Sequence, residues 1–181
     1  MRRPSQTRIR RMNPRAFGLV VLGCLLVACL PAQAHITIDS PAVMAGTYAR
    51  LVLRVTHGCQ GSPTKAVSVY LPEAFRFAKA KVKQGWTISY EKANLARPVQ
   101  SHGRSLTETT AVIRWEGGQI PDDQFDEFVL TGRVDESASG RLPLRVLQEC
   151  EQGQTDWQGA PDSKAPAPAL EVKPAKSRPH R

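Results

Sequence analysis

The sequence predicts an all-β fold, a sandwich or barrel of short strands, formed by one domain between an amino-terminal leader and a carboxy-terminal tail. Three observations predict it. Apolar and polar residues alternate with a period of two in short runs. Those runs are rich in β-branched and aromatic side chains, and clusters of Gly, Pro and Asp separate them.

The leader comes first. Residues 1–15 carry six arginines and no acid, and residues 17–30 are almost entirely apolar. Ala32-Gln33-Ala34 then places small residues at the −1 and −3 positions of a cleavage site. A basic region, a short apolar region and an A-x-A site are the parts of a secretory signal peptide. An apolar run of 14 residues falls short of the ~20 that a membrane-spanning helix needs. The expectation is a signal peptide over 1–34, a periplasmic or secreted protein, and a mature chain that starts at His35. A second route stays open, because Leu26-Val27-Ala28-Cys29 also has the form of a lipoprotein box. Acylation at Cys29 would tether the chain to a membrane and leave His35 internal.

The body of the chain, 35–162, supplies the strands. "YARLVLRV" (48–55), "AVSVYLP" (66–72), "WTISYEK" (86–92), "TTAVIRW" (109–115), "EFVLTGRV" (127–134) and "LPLRVLQEC" (142–150) read as strands. The connections "HGCQGSP", "KQG", "EGGQIPDD" and "ESASG" read as turns. Alternation places Arg50, Arg54, Ser68 and Ser89 towards solvent and makes Trp86 and Trp115 core residues. "EAFRFAKAKV" alone is compatible with a brief helix, following Pro72. Residues 163–181, rich in Pro, Ala and Lys, have no periodic apolar face and are expected to be disordered.

Charge excludes one class of function. The formal net charge is +9, but from His35 to Asp162 there are 14 Lys/Arg against 15 Asp/Glu. The excess belongs to the two appendages and is no nucleic-acid footprint. The body holds two cysteines, Cys59 and Cys150, which in an oxidising compartment can form one bridge. The competing role, a thiolate metal site, lacks C-x-x-C spacing, so the disulfide is favoured.

Motifs for catalysis are missing: there is no G-x-S-x-G, P-loop or H-E-x-x-H. Carboxylates cluster in "PDDQFDEF" and flank Cys150 as Glu149 and Glu151, but the first stretch has the form of a solvated turn leading into a strand. The expectation is a protein that is not an enzyme. His102 reads as a surface residue and His180, in the tail, as inert. What remains is His35. Once exposed by cleavage, it offers an α-amine and an imidazole to one ion. Their ordinary pKa values, about 7.7–8.0 and 6.5, make deprotonation easy near neutral pH. Nitrogen donors in a planar array suit Cu(II).

The segments "AHITIDSPAVMAGTYARLVLRVTHGCQGSPTKAVSVYLPE", "IRWEGGQIPDDQFDEFVLTGRV" and "LRVLQECEQGQTDW" resemble the YcnI-like periplasmic copper-binding family. The resemblance runs from His35 to about Trp157. It implies an immunoglobulin-like β-sandwich and Cu(II) held by a monohistidine brace, the amino-terminal His with its own amine. A carboxylate assists, and a tryptophan lies close to the metal. His35 matches the brace and Trp157 the tryptophan. The carboxylate is where this chain departs: relatives have a Glu in a stretch like "VPNER", whereas here the chain reads Thr56-His57-Gly58-Cys59. His57 is therefore a candidate ligand in its place, with Glu127 and Glu149 as fallback oxygen donors. The implied role is a copper chaperone or store whose partner is a membrane copper importer or another periplasmic carrier. Two alternatives remain: a copper-dependent oxidative enzyme of the polysaccharide monooxygenase type, and a metal-free adhesion or scaffold sandwich.

Overall fold

The computed structural model describes residues 35–101 and 103–175. The leader with Cys29, His102 and the end of the tail with His180 lie outside the described residues. Twelve strands form among those described: β1 (Thr37–Ile38), β2 (Val43–Met44), β3 (Tyr48–Val55), β4 (Thr64–Tyr70), β5 (Phe75–Ala80) and β6 (Thr87–Ser101), then β7 (Arg104–Ile120), β8 (Asp126–Val134), β9 (Gly140–Pro143), β10 (Arg145–Cys150), β11 (Gln154–Trp157) and β12 (Ala169–Lys173). They make a four-stranded sheet, β1-β3-β8-β5, a five-stranded sheet, β11-β10-β4-β7-β6, and a small third sheet, β2-β12-β9.

Alternation generates the core. Leu51, Leu53 and Val55 of β3, with Phe128 and Leu130 of β8, form one inner face. Val67, Val69, Ile113, Trp115 and Val146 form the other, each fully buried. The Phe128 ring meets Trp115 at 5.3 Å and Trp86 at 5.0 Å, both edge to face. Burying side chains of this size stabilises by about 2–3 kcal/mol each. Trp115 thus lies in the core as its strand pattern predicts, whereas Trp86, just before β6, is half-buried and packs against that core.

Four expectations need correction, the last being the single strand expected over 142–150, which Leu144 divides into β9 and β10. "EAFRFAKAKV" is no helix; its first six residues after Glu-Ala form β5, paired with β8. Phe75 anchors it by lying over Gly132, where a Cβ would come within 2.4 Å of its ring. The register slips between Arg76 and Lys79, and Phe77 turns to φ 56. That bulge breaks the period-two pattern and hides the strand from the sequence.

The second correction concerns the tail. Residues 169–173 are ordered as β12, antiparallel to β9 and parallel to β2, with Leu170 and Val172 buried in the core. Two alternating apolar residues suffice because β2 and β9 satisfy the backbone on both sides. Third, Ser68 does lie on the outer face of the five-stranded sheet, but it is only 3% exposed. Arg114 covers it, donating from Nη1 to Ser68 Oγ at 3.0 Å.

Cys59 and Cys150 are joined by a disulfide with Cα atoms 5.9 Å apart. Both sulfurs are therefore bonded to each other, which removes the thiolate-site alternative.

Candidate metal centre

The site grows out of the turn that follows β3. Gly58 packs so close beneath Ser62 that a Cβ would lie 1.8 Å from the Ser62 carbonyl oxygen. Cys59 and Ser62 exchange N–H···O bonds of 3.0 Å in both directions. Gln60 and Gly61 between them take φ values of 53° and 88°, as a tight type I′ turn requires. Three ties then fix this turn to the rest of the sandwich. The disulfide joins Cys59 to the end of β10. Gly58 donates its N–H to Asp122 Oδ1 at 2.9 Å, from the loop between β7 and β8. His57 accepts at its carbonyl from Gln148 Nε2 at 2.7 Å.

Trp157 ends β11 and is 3% exposed. Two imidazoles stand nearly perpendicular to its indole: His35 with ring centroids 5.9 Å apart at 79°, and His57 with 6.2 Å at 73°. The amino-terminal segment reaches this place because β1 pairs with β3, Thr37 opposite Arg54 and Ile38 opposite Leu53, with Ile36 buried in the core. His57 Nδ1 lies against the Gly58 carbonyl. A carbonyl can only accept, so in this contact Nδ1 is the donor.

The fold brings together three of the residues singled out from sequence, His35, His57 and Trp157. The two fallback carboxylates are held elsewhere. Glu149 projects from the face of β10 opposite to Gln148, where its carboxylate is taken up by Arg114. That pair, with Glu116, raises the Arg114 guanidinium pKa further above its ordinary value. Glu127 sits opposite Arg54 in the β3–β8 ladder, and Arg54 Nη2 bridges it at 3.3 Å to Asp39 at 2.6 Å. Among the described residues, no three His, Cys, Asp or Glu side chains converge as a preformed metal cluster.

Two residues of the site escape sequence reasoning. Asp122 reads as a solvated turn residue but secures the His57 turn. Gln148 is fully buried and joins Trp157 to that turn: its Oε1 accepts the Trp157 indole N–H at 3.0 Å, while its Nε2 donates to His57 and to Thr64 Oγ1. Its signal was available, because in "RVLQEC" the alternation that turns Val146 inward also turns Gln148 inward. A polar residue at an inward position needs partners, and those of Gln148 are the Trp157 indole, the His57 carbonyl and Thr64.

The fold is that of an immunoglobulin-like β-sandwich, shared with a solved structure. An uncharacterised protein from Nocardia farcinica, described as having an immunoglobulin-like fold, superposes with a TM-score of 0.60 at 23% identity, over 76% of this chain and 97% of its own. Among curated proteins, the copper-binding protein CutI of Bacillus subtilis is 22% identical over 159 residues, covering 86% of this chain and 71% of CutI. The model of the family described as Domain of unknown function (DUF1775) matches residues 35–172. The chain belongs to that family, the YcnI-like group that its segments resemble.

Proposed function

We propose that the protein, once cleaved after Ala34 and exported, binds one Cu(II) ion at its new amino terminus and passes it to a membrane copper importer or another carrier. The His35 amine and imidazole form the chelate. The His57 imidazole takes the place of the carboxylate that relatives supply. Trp157 forms an apolar wall beside the ion and restricts access from one side. The copper is cargo, and no turnover is part of the reading.

The observation that carries the proposal is the placing of His35 and His57 against the same indole. The donor set fits the ion: imidazole and amine nitrogens suit Cu(II) better than they suit Mg or Ca, which take oxygen. The relationship to a copper-binding protein and a family match that begins at His35 support it. A site with few protein donors favours transfer, because an incoming ligand can attack an open face of the ion.

Titration of the processed protein with Cu(II), by calorimetry and by electron spin resonance, tests this directly. One saturable site with nitrogen hyperfine structure is expected. His35→Ala and acetylation of the terminal amine should each abolish tight binding. His57→Ala should alter the spectrum. Undiminished uptake by the acetylated protein would refute the brace, and an unchanged His57→Ala spectrum would remove His57 from the ligand set.

A further inference from the structure

We infer that Gln148 is the positioning residue of this centre, the single side chain that sets Trp157 and the His57 turn relative to each other. The inference rests on the copper-binding reading for its consequence, though not for its geometry. Gln148 is 0% exposed, in a core otherwise made almost wholly of apolar side chains. A buried amide is costly unless satisfied, and this one is satisfied by three partners from three different places in the fold. Its oxygen holds the Trp157 indole N–H at 3.0 Å. Its nitrogen holds the His57 carbonyl at 2.7 Å and Thr64 Oγ1 at 2.8 Å.

The consequences follow from what those partners do. Core packing confines the Trp157 indole, and the bond from its N–H to Gln148 adds a directional tie at one edge of the ring. With Gln148 in place, the ring presents its faces and edges to His35 and His57 in one orientation. The backbone bond to His57 acts on the same turn as the disulfide and Asp122, but from the core side. A site whose ligands are few depends strongly on such second contacts, since no further ligand corrects a misplaced one. Gln148 touches neither the ion nor its proposed ligand atoms. Its role is to hold: the Trp157 N–H, which only donates, fixes the amide oxygen, the His57 carbonyl, which only accepts, fixes the amide nitrogen, and the Thr64 hydroxyl takes up the second N–H.

The test uses the processed full chain, first without metal. In the wild type, the Trp157 indole proton and the Gln148 side-chain amide, followed by nitrogen-15 NMR, should exchange slowly with solvent. Gln148→Met, similar in volume and without the amide, should speed exchange of the Trp157 indole and shift the His57 ring resonances. Gln148→Glu keeps an acceptor and should keep the indole protected. With Cu(II), Gln148→Met should weaken binding about 10- to 100-fold, the range for loss of a contact that orients ligands. It should also change the spin-resonance spectrum, whereas Thr64→Val should hold affinity within about threefold.

A Gln148→Met protein with wild-type affinity and spectrum overturns the inference. So does rapid exchange of the Trp157 indole in the wild type, a measurement that needs no variant to fold. If the wild type takes up no Cu(II), the copper reading fails by itself, and the metal-free resonances still decide whether Gln148 fixes Trp157 and His57.

Discussion

Replacing both bridge cysteines, Cys59→Ala with Cys150→Ala, gives a loss of stability whose size follows from the chain itself. The bridge spans a sequence separation of 91 residues. On the chain-entropy model, a closed loop of that length removes about 15–16 cal/mol/K from the unfolded ensemble, or about 4–5 kcal/mol at 25 °C. The folded state should change little, because each cysteine's surroundings are kept by other bonds. The Cys59–Ser62 pair closes the turn, and β10 pairs with β4 from Arg145 to Cys150. For a body of this size, 1 kcal/mol corresponds to about 3 °C in Tm, so melting should fall by about 15 °C. Urea unfolding of both proteins, under identical conditions, supplies the check. The midpoint should fall, and the m-value should rise because an uncrosslinked unfolded chain is more expanded. A loss under about 1 kcal/mol with an unchanged m-value would refute the argument, since the bridge would then not be constraining the unfolded chain.

Three further outcomes are expected. Gly58→Ala forces a methyl against the Ser62 carbonyl, so the turn must shift; a loss of at least about 1–3 kcal/mol, read by denaturant unfolding, should accompany weaker Cu(II) uptake. Glu149→Gln should leave Cu(II) affinity within about twofold in the same calorimetry, because its carboxylate serves Arg114 on the opposite face of β10. Asp135 is held below its ordinary carboxyl value of 3.8, first by the Ser137 hydroxyl and N–H and then by Arg76 and Arg133, against the opposing effect of burial. A depressed carboxyl contributes stability that is present above the ordinary value and lost as pH falls through the depressed one. Wild-type stability should therefore decline below about pH 4 more steeply than that of Asp135→Asn, as equilibrium unfolding across acidic pH would register.

How much of this was legible depends on whether a residue's role is local. "YARLVLRV" is β3 to the residue, because Ala49, Leu51, Leu53 and Val55 alternate inward along it. Where the period was interrupted, the sequence misled. The bulge at Phe77 disguised β5, and Leu144 divides "LPLRVLQEC" into β9 and β10, which join different sheets. β12 was invisible for another reason: its composition is that of a linker, and its order comes from β2 and β9, more than 25 residues away in each case.

The same distinction runs through the candidate centre. His35 stands out because its chemistry is written next to a cleavage site, and His57 because it occupies the place of a missing acid. Asp122 carries no such local mark, and the alternation that turns Gln148 inward does not name what it binds. Their meaning lies in partners 91 and 64 positions away, and only the closure of the sandwich brings those together. Single-residue chemistry can propose ligands, but what holds them belongs to tertiary structure. The disulfide makes the link between the two levels: Cys59 lies two residues from His57 and Cys150 two from Gln148, so one covalent bond brings the ligand turn to the amide that orients it. A covalent tie, a buried amide and an Asp122 bond thus converge on one six-residue turn and fix His57 beside Trp157, while the pairing of β1 with β3 brings His35 to the same indole.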